Sequence, residues 1–523
     1  MSRPDRLPGA LGLVRGDGLS GPRRGPVLLV AGGAAIVGLL LGALGGPGAG
    51  RAGRSGGTPS EGAVSVVQQR PLVSSWFCAG ATSGPGTQAP GEILLANAGL
   101  RPVNATTVVV SENGRRQTTA TEVAPGAVTV VHERMAGPRP AGGWVGAIVT
   151  LYGGMTSVSQ SVVTGRGTSV QPCATATSPR WYFAAGEDLR NAHEELSLLN
   201  PYPVDAVVDL SFTTEQGVEV PGQFQGIVVP ARGLAEVDLA AHLRRRRHIA
   251  LTLTARTGAV AAFETEVAQR PPPGAAPVGA PGAVNPVLPV GGATLQLGTT
   301  SASTRWWWPA GGEGPGLTEE YAVYDPEGSP AKVKLQLLPS GGGPVGTTSV
   351  TVPAHGWVSL KTNGQTWSLP GVRYGARLTS LNGVAVVAQR TVMAASPSTS
   401  RGLGALLGLV QPARVWALTN LEVPEGESWL QVTDPGGQTA RVRLYEVSGG
   451  SWRLLPGEKG LVIGPGQSAT AVLPGALTAA LVVVSSVPTL VDRASYSLSA
   501  SSGTDYSPLA MVRTSSSYLT GRT

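Results

Sequence analysis

Three short markers recur four times along this chain, in the same order and at nearly constant spacing. A period near 105 residues, repeated four times, limits the chain to a few repeat architectures. The first marker is a tryptophan block: Ser75-Trp76-Phe77-Cys78-Ala79-Gly80, Arg180-Trp181-Tyr182-Phe183-Ala184-Ala185-Gly186, Arg305-Trp306-Trp307-Trp308-Pro309-Ala310-Gly311 and Arg414-Val415-Trp416-Ala417. The second ends an apolar run on a turn-forming residue: Asn97, Asn200, Asp325 and Asp434, which lie 21, 19, 19 and 18 residues after their tryptophans. A short polar side chain that bonds its own backbone starts a turn, and in three copies a proline with fixed φ follows. The third is a proline–glycine turn 28 to 31 residues further on, at Pro125, Pro230, Pro353 and Pro465. Each copy then closes on an apolar run carrying a polar residue: Gln160, Gln269, Gln389 or Asp492.

Between the markers, residues alternate with period two. Val204, Ala206, Val208, Leu210 and Phe212 oppose Asp205, Asp209 and Ser211, and Val333, Leu335 and Leu337 oppose Lys332, Lys334 and Gln336. Val442 and Leu444 oppose Arg441 and Arg443 in the same way. That is the pattern of antiparallel strands with one packed face. Seventy-four glycines and 43 prolines in 523 residues suit many short strands joined by turns. The expectation is an all-β chain of tandem immunoglobulin-like β-sandwich repeats, with a β-propeller as the alternative. Beyond the anchor described below no helical stripe is convincing, although 186–199 has room for a helical turn.

The repeats divide the chain into residues 71–170, 171–270, 299–395 and 412–498. Two linkers separate them, a Pro-rich one at 271–298 and a shorter one at 396–411. A flexible tail follows at 499–523. Val64–Pro71 echoes the close of repeat two, and is expected to pair with repeat one as a lone strand.

The residues around repeat two resemble a known pattern. Trp181-Tyr182-Phe183-Ala184-Ala185-Gly186, Leu199-Asn200-Pro201 and Ala268-Gln269-Arg270 are similar to a Trp-Tyr-Phe-Ala-Glu-Gly-type repeat of bacterial surface proteins. The layout over roughly 25–500 resembles an uncharacterised actinobacterial membrane-anchored family, domain of unknown function 5719. Ala185 stands where the usual repeat has Glu. The resemblance implies location and architecture, and no chemistry.

Location also follows from the N-terminus. Val27 to Leu44 carries no charge and follows Arg3, Arg6, Arg15, Arg23 and Arg24. Eighteen helical residues reach about 27 Å, enough for a hydrocarbon core. The arginine excess predicts a single-pass plasma-membrane protein, with 1–26 as a cytoplasmic tail, 27–44 as the transmembrane helix, 45–70 as a tether and the C-terminal bulk extracellular. A cleaved signal peptide ending near Ala43-Leu44-Gly45 is the alternative. Residues 1–54 hold seven arginines and two aspartates, so most of the net +7 belongs to this topology signal. The exported part is nearly neutral, which argues against nucleic acid as a partner. Outside the cytoplasm Cys78 and Cys173 are expected to form a disulfide.

Few residues suggest chemistry. The five histidines form no metal-ligand pattern, and no nucleophile elbow or phosphate-binding loop is present. No catalytic residue, metal or cofactor is therefore expected. Two features suit binding. Arg244-Arg245-Arg246-Arg247 could grip anionic groups, since guanidinium pairs bidentately with phosphate. Trp307, in the middle of three tryptophans, should face away from a core that holds its neighbours; there it either covers an apolar edge or is exposed, and an exposed indole can stack on a sugar. The reading is a non-enzymatic scaffold or adhesion protein of the cell envelope, with envelope proteins or cell-wall polymers as partners. One alternative is a carbohydrate- or anionic-polymer-binding protein. A second is an envelope enzyme with an acidic site near Glu187 and Glu194.

Overall fold

Eight strands per repeat, sorted into two sheets, organise the chain. The computed structural model describes residues 65–66, 73–84, 87–135, 143–164, 167–189, 192–241, 243–270, 290–314, 316–394, 402–418, 426–448, 451–455, 460–473, 479–497 and 511–514. Among them every regular element is a strand except two 3-10 turns, Gly222–Phe224 and Leu239–Ala241. Repeat one runs through Ser74–Thr82, Gly91–Asn97, Val103–Ser111, Arg116–Val123, Val128–His132, Trp144–Tyr152, Thr156–Thr164 and Gly167–Pro172. Numbered one to eight, these form an antiparallel sheet in the order 1-6-3-4 and another in the order 5-2-7-8. Repeats two and three reuse both orders, with an extra short strand, Ile227–Val229, in repeat two. In repeat four, strands six and seven are one 17-residue strand, Leu481–Ser497. Its first half pairs with Ala413–Leu418 and its second with Gly426–Thr433, so it turns from one sheet into the other.

The markers have physical reasons. Trp76, Trp181, Trp306 and Trp416 are wholly buried between the two sheets of their repeats. Each removes about 200 Å² from water, on the order of 5 kcal/mol of transfer free energy. Their indole N–H groups are satisfied too: Trp181 donates to the Val260 carbonyl at 2.8 Å, Trp306 to Val386 at 2.7 Å and Trp416 to Thr489 at 2.9 Å. The second marker caps strand two. Asn97, Asn200, Asp325 and Asp434 each accept the backbone N–H two residues on, at 2.8 to 3.0 Å. The third marker turns back onto this one. Gly126, Arg232, His355 and Gly466 all have positive φ, and their N–H groups donate to Asn97, Tyr202, Glu327 and Asp434 carbonyls respectively. Markers two and three are therefore one joint, made of two turns about 30 residues apart.

The polar residue of the closing strand also recurs, at Gln160 as expected in repeat one and at other positions than expected in the other three repeats. The side chains opposite Ile93, Leu196, Tyr321 and Leu430 on strand seven are Gln160, Glu264, Arg390 and Arg493, and all four are buried. Gln389 and Asp492 are their neighbours and sit on the opposite face. Strand register decided this, and register is set by pairing rather than by the residues of one strand.

The repeats do not hang as separate beads. The 1-6-3-4 sheet of each repeat packs its second face on the 5-2-7-8 sheet of the next. Thr265 donates to the Gly80 carbonyl at 2.6 Å between repeats one and two. The Thr252 and Tyr324 hydroxyls meet at 2.9 Å between two and three. The Ser340 and Thr470 hydroxyls meet at 2.9 Å between three and four. Repeat four returns to repeat one: Ala480 N–H donates to Gly126 at 3.0 Å, and Trp452 donates to Ala98 at 3.1 Å. Val415, Ala417, Val447 and Val482 join the core that holds Trp76. The described sheets thus form eight layers in a closed ring, blade against blade, which combines the sandwich and propeller expectations. The eighth strands face inward, where Gln171 of repeat one reaches Ala405 of repeat three at 3.2 Å.

Several boundaries shift as a result. The segments read as linkers end in strands, Val290–Leu297 and Gly402–Leu407, which complete the preceding sheets. Within the tail expected to be flexible, Met511–Thr514 pairs with Ala413–Leu418. Ser65–Val66 pairs parallel with Met511–Thr514, not with repeat one. The helical turn allowed at 186–199 is instead strand Ala192–Asn200. The expected anchor, Val27–Leu44, lies outside the described residues, among which no helix is long and apolar enough to cross a membrane.

Candidate functional site

The four-arginine run sits in the turn between the 3-10 turn Leu239–Ala241 and strand Ile249–Thr257. Its members do different things. Arg246 is bound bidentately to Glu219, at 2.9 and 3.0 Å, and the pairing holds the Glu219 carboxyl below its usual range. Arg244, Arg245 and Arg247 are exposed, and Arg245 has a positive φ of 65°. The next residue, His248, is buried and stacks on Trp357 of repeat three at 3.5 Å. Burial drives its imidazole down to about 3, so it remains neutral. The run is thus three outward guanidiniums on a turn pinned at Arg246 and His248.

Glu187 and Glu194 do not make a pair on a cleft. Glu194 is wholly buried inside repeat two, with its carboxylate against the α-carbon of Gly186. Glu187 is half-buried in the preceding loop. The same inner end of the sandwich holds an acid in two other repeats. In repeat one, Glu133 fills the space over Gly91, accepts from Gln160 at 2.8 Å, and is pushed by burial up to about 8. In repeat three, Glu319 accepts from Tyr321 at 2.8 Å, Tyr374 at 3.0 Å and the Gly312 N–H at 3.0 Å. No group of three His, Cys, Asp or Glu side chains among the described residues could hold a metal ion.

Trp307 is not exposed, as a stacking role requires, but covers an apolar surface. All three tryptophans are buried, and Trp307 is only 2% exposed. Alternation does turn it away from the core of repeat three, but the face it reaches is covered by repeat four. Its ring packs with Leu409, Ala413 and Trp416. A stacking role for an exposed indole is therefore excluded by the ring closure. Beside it, however, a cavity of about 380 Å³ opens at the seam of repeats three and four. Its wall joins Arg305, Trp307, Arg414 and Pro412, the turn Pro435-Gly436-Gly437-Gln438, and Val487-Pro488. The last pair belongs to the long strand of repeat four, where pairing with Ala413–Leu418 jumps from Ala413–Thr489 to Val415–Val484, while Ser485 pairs on its other side with Val442.

The charge around this cavity is one-sided. Arg305 and Arg414 are exposed, and no acidic residue lines the wall. Arg377 lies over the Trp307 ring at 5.1 Å. It donates to Gln336 at 2.6 Å, while its Nε has no hydrogen-bond partner. Burial first, and then Arg305, pulls Arg377 below the ordinary guanidinium range. Arg305 stands directly before Trp306 and Arg414 two residues before Trp416, so each of these repeats has an arginine just ahead of its tryptophan, one position apart. That recurrence was visible in sequence. Arg377 was not, because it joins through its pairing with Trp307.

Cys78 and Cys173 are joined by a disulfide. It ties the end of strand eight to strand one, beside the backbone pairing of Phe77 with Ala174.

Residues 147–288 match DUF5719, a family of unknown function. The DUF5719 match begins within the sixth strand of repeat one and runs through strand seven of repeat two. It takes in Glu194 and the arginine run and stops short of the cavity. None of the curated proteins compared matches the chain. Among solved structures, a tetra-tandem repeat in the extending region of a large adhesion protein aligns with 84% of this chain and 97% of that one. Identity is 11% and the TM-score is 0.09, so nothing is carried over from it.

Proposed function

We propose that this protein is a membrane-anchored, extracytoplasmic, non-enzymatic scaffold or adhesion and interaction protein of the cell envelope. The observation that carries this reading is the Cys78–Cys173 disulfide within the ring. Such bonds persist in oxidising compartments. The uncharged Val27–Leu44 behind five arginines supports the same side of the membrane. The burial of Glu194 favours a binding role over an acid-catalysed one, since a carboxylate inside a sandwich does not meet substrate. Protease added to intact cells tests the reading. A C-terminal tag is expected to be removed while a cytoplasmic marker survives; a protected tag would refute the placement. Crosslinking in the native membrane should capture envelope components.

A second reading, anionic-polymer binding, is favoured by the three outward guanidiniums of Arg244, Arg245 and Arg247. Retention on isolated cell-wall polymer should fall when all three become glutamine. Equal retention would remove this loop from consideration.

A further inference from the structure

We propose that the cavity at the seam of repeats three and four is a binding site for a phosphorylated polyol, with Arg305 and Arg414 holding the phosphate. This inference stands without the cellular placement argued above, and it concerns a different part of the ring from the arginine run.

Three arginines converge here without an acid. Arg305 and Arg414 line the cavity, and Arg377 stands behind Trp307. Among the described residues none of the three makes an ion pair. Elsewhere in this ring guanidiniums find carboxylates: Arg246 pairs with Glu219, and Arg256 with Asp209. Like charges brought together by folding raise the free energy of the empty state, and an anion removes that cost. The donor set fits phosphate, because a guanidinium offers two parallel N–H groups to two oxygens. Arg377 acts behind them. Its position over the Trp307 ring adds to the positive field and does not require contact with the ligand.

The rest of the wall is not built for a bare ion. Pro412, Val487 and Pro488 present apolar surface. The volume of about 380 Å³ is many times the roughly 10–15 Å³ that one water needs on the same measure, so it admits a glycerol or sugar unit along with its phosphate. Gly436 and Gly437 in the facing turn are exposed and add no side chain to the mouth. A stacked neutral sugar does not fit, since Trp307 is covered by Arg377 and by repeat four.

The test is calorimetric titration of the full-length protein in detergent with glycerol phosphate, inorganic phosphate and glycerol. Saturable binding of glycerol phosphate is expected, at least about fivefold tighter than inorganic phosphate, with none for glycerol. The affinity should fall as salt rises. Arg305→Gln with Arg414→Gln should weaken binding at least about tenfold. Arg101→Gln, an exposed arginine of repeat one, should leave it unchanged. Both arginines of the double variant are exposed, and an unaltered melting temperature would show that its fold is kept. Three results would overturn the proposal: no saturation by glycerol phosphate, undiminished binding by the double variant, or an equal loss in Arg101→Gln. If the double variant fails to fold, Arg305→Lys alone decides. It keeps the charge but loses the fork, so it should weaken binding, and unchanged affinity would count against the site.

Discussion

Repeat one and repeat three close the same gap with different chemistry. In repeat one, the end of strand eight is tied to strand one by Cys78–Cys173. In repeat three the equivalent positions are Trp308 and Gly408, flanking the backbone pairing of Trp307 with Leu409. A β-carbon on Gly408 would lie 3.0 to 3.1 Å from the Trp306 and Trp308 side chains. Repeat two uses Phe183 over Gly298 in the same way. One joint can therefore be made by a covalent bond or by an aromatic ring seated on a bare backbone. The difference is thermodynamic: the disulfide acts largely by restricting the unfolded chain, and the ring–glycine contact acts only in the folded one.

Removing the bond should give the largest effect. Cys78→Ser with Cys173→Ser opens a loop of 95 residues and should cost about 4–5 kcal/mol, read as a lower urea midpoint. A loss below about 1 kcal/mol would mean that repeat one, like repeat three, is held by packing alone. Next comes Gly408→Ala. The two indoles have nowhere to retreat, so about 2–3 kcal/mol should be lost. An unchanged melting temperature would show that the contact is not a joint at all.

The third prediction turns on the buried acids. Glu133 has one side-chain partner shown, Gln160, whereas Glu319 has three donors and Arg390 at 3.9 Å. Glu133 is raised from 4.5 to about 8 on folding, so the folded chain holds a proton that the unfolded chain releases. Its contribution is full below pH 4.5 and is lost as pH rises through 8. Glu133→Gln should stabilise by on the order of 2 kcal/mol at pH 8 and by nothing at pH 4. Chemical denaturation at the two pH values checks this. A pH-independent difference would point to packing instead of charge.

The smallest effect should come from the second marker. Asn97 and Asn200 donate their amides to the Val123 and Val229 carbonyls, at 3.0 and 3.2 Å. Asp325 and Asp434 have no amide to give. Burial raises both carboxyls, against the opposing pull of the Glu327 and Ala331 N–H groups on Asp325 and of the Gly436 and Ala440 N–H groups on Asp434, and one oxygen of each makes no bond of full hydrogen-bond geometry. Asp325→Asn should restore that bond and add about 1 kcal/mol, with a gain that grows as pH rises. No gain at pH 8 would mean that the Asp repeats have adjusted their turns to the carboxylate.

Much of this was legible beforehand for local reasons. The strand faces of Val333, Leu335 and Leu337 follow from alternation, and burial agrees in each case. The turn markers follow from side chains that bond their own backbone. The candidate site was legible only in part. Arg305 and Arg414 are visible as arginines within two residues of their buried tryptophans, and Trp307 as an odd one out. Their meeting at one cavity depends on which sheet covers which.

The sequence by itself determined four two-sheet repeats, because side-chain period, turn chemistry and a buried tryptophan act over a few residues. Only the tertiary structure decided that the repeats close into a ring, that Trp307 is covered, and that Gln160, Glu264, Arg390 and Arg493 point inward. Those outcomes rest on strand register and on contacts between residues hundreds of positions apart, such as Ala98 with Trp452, and no local pattern encodes them.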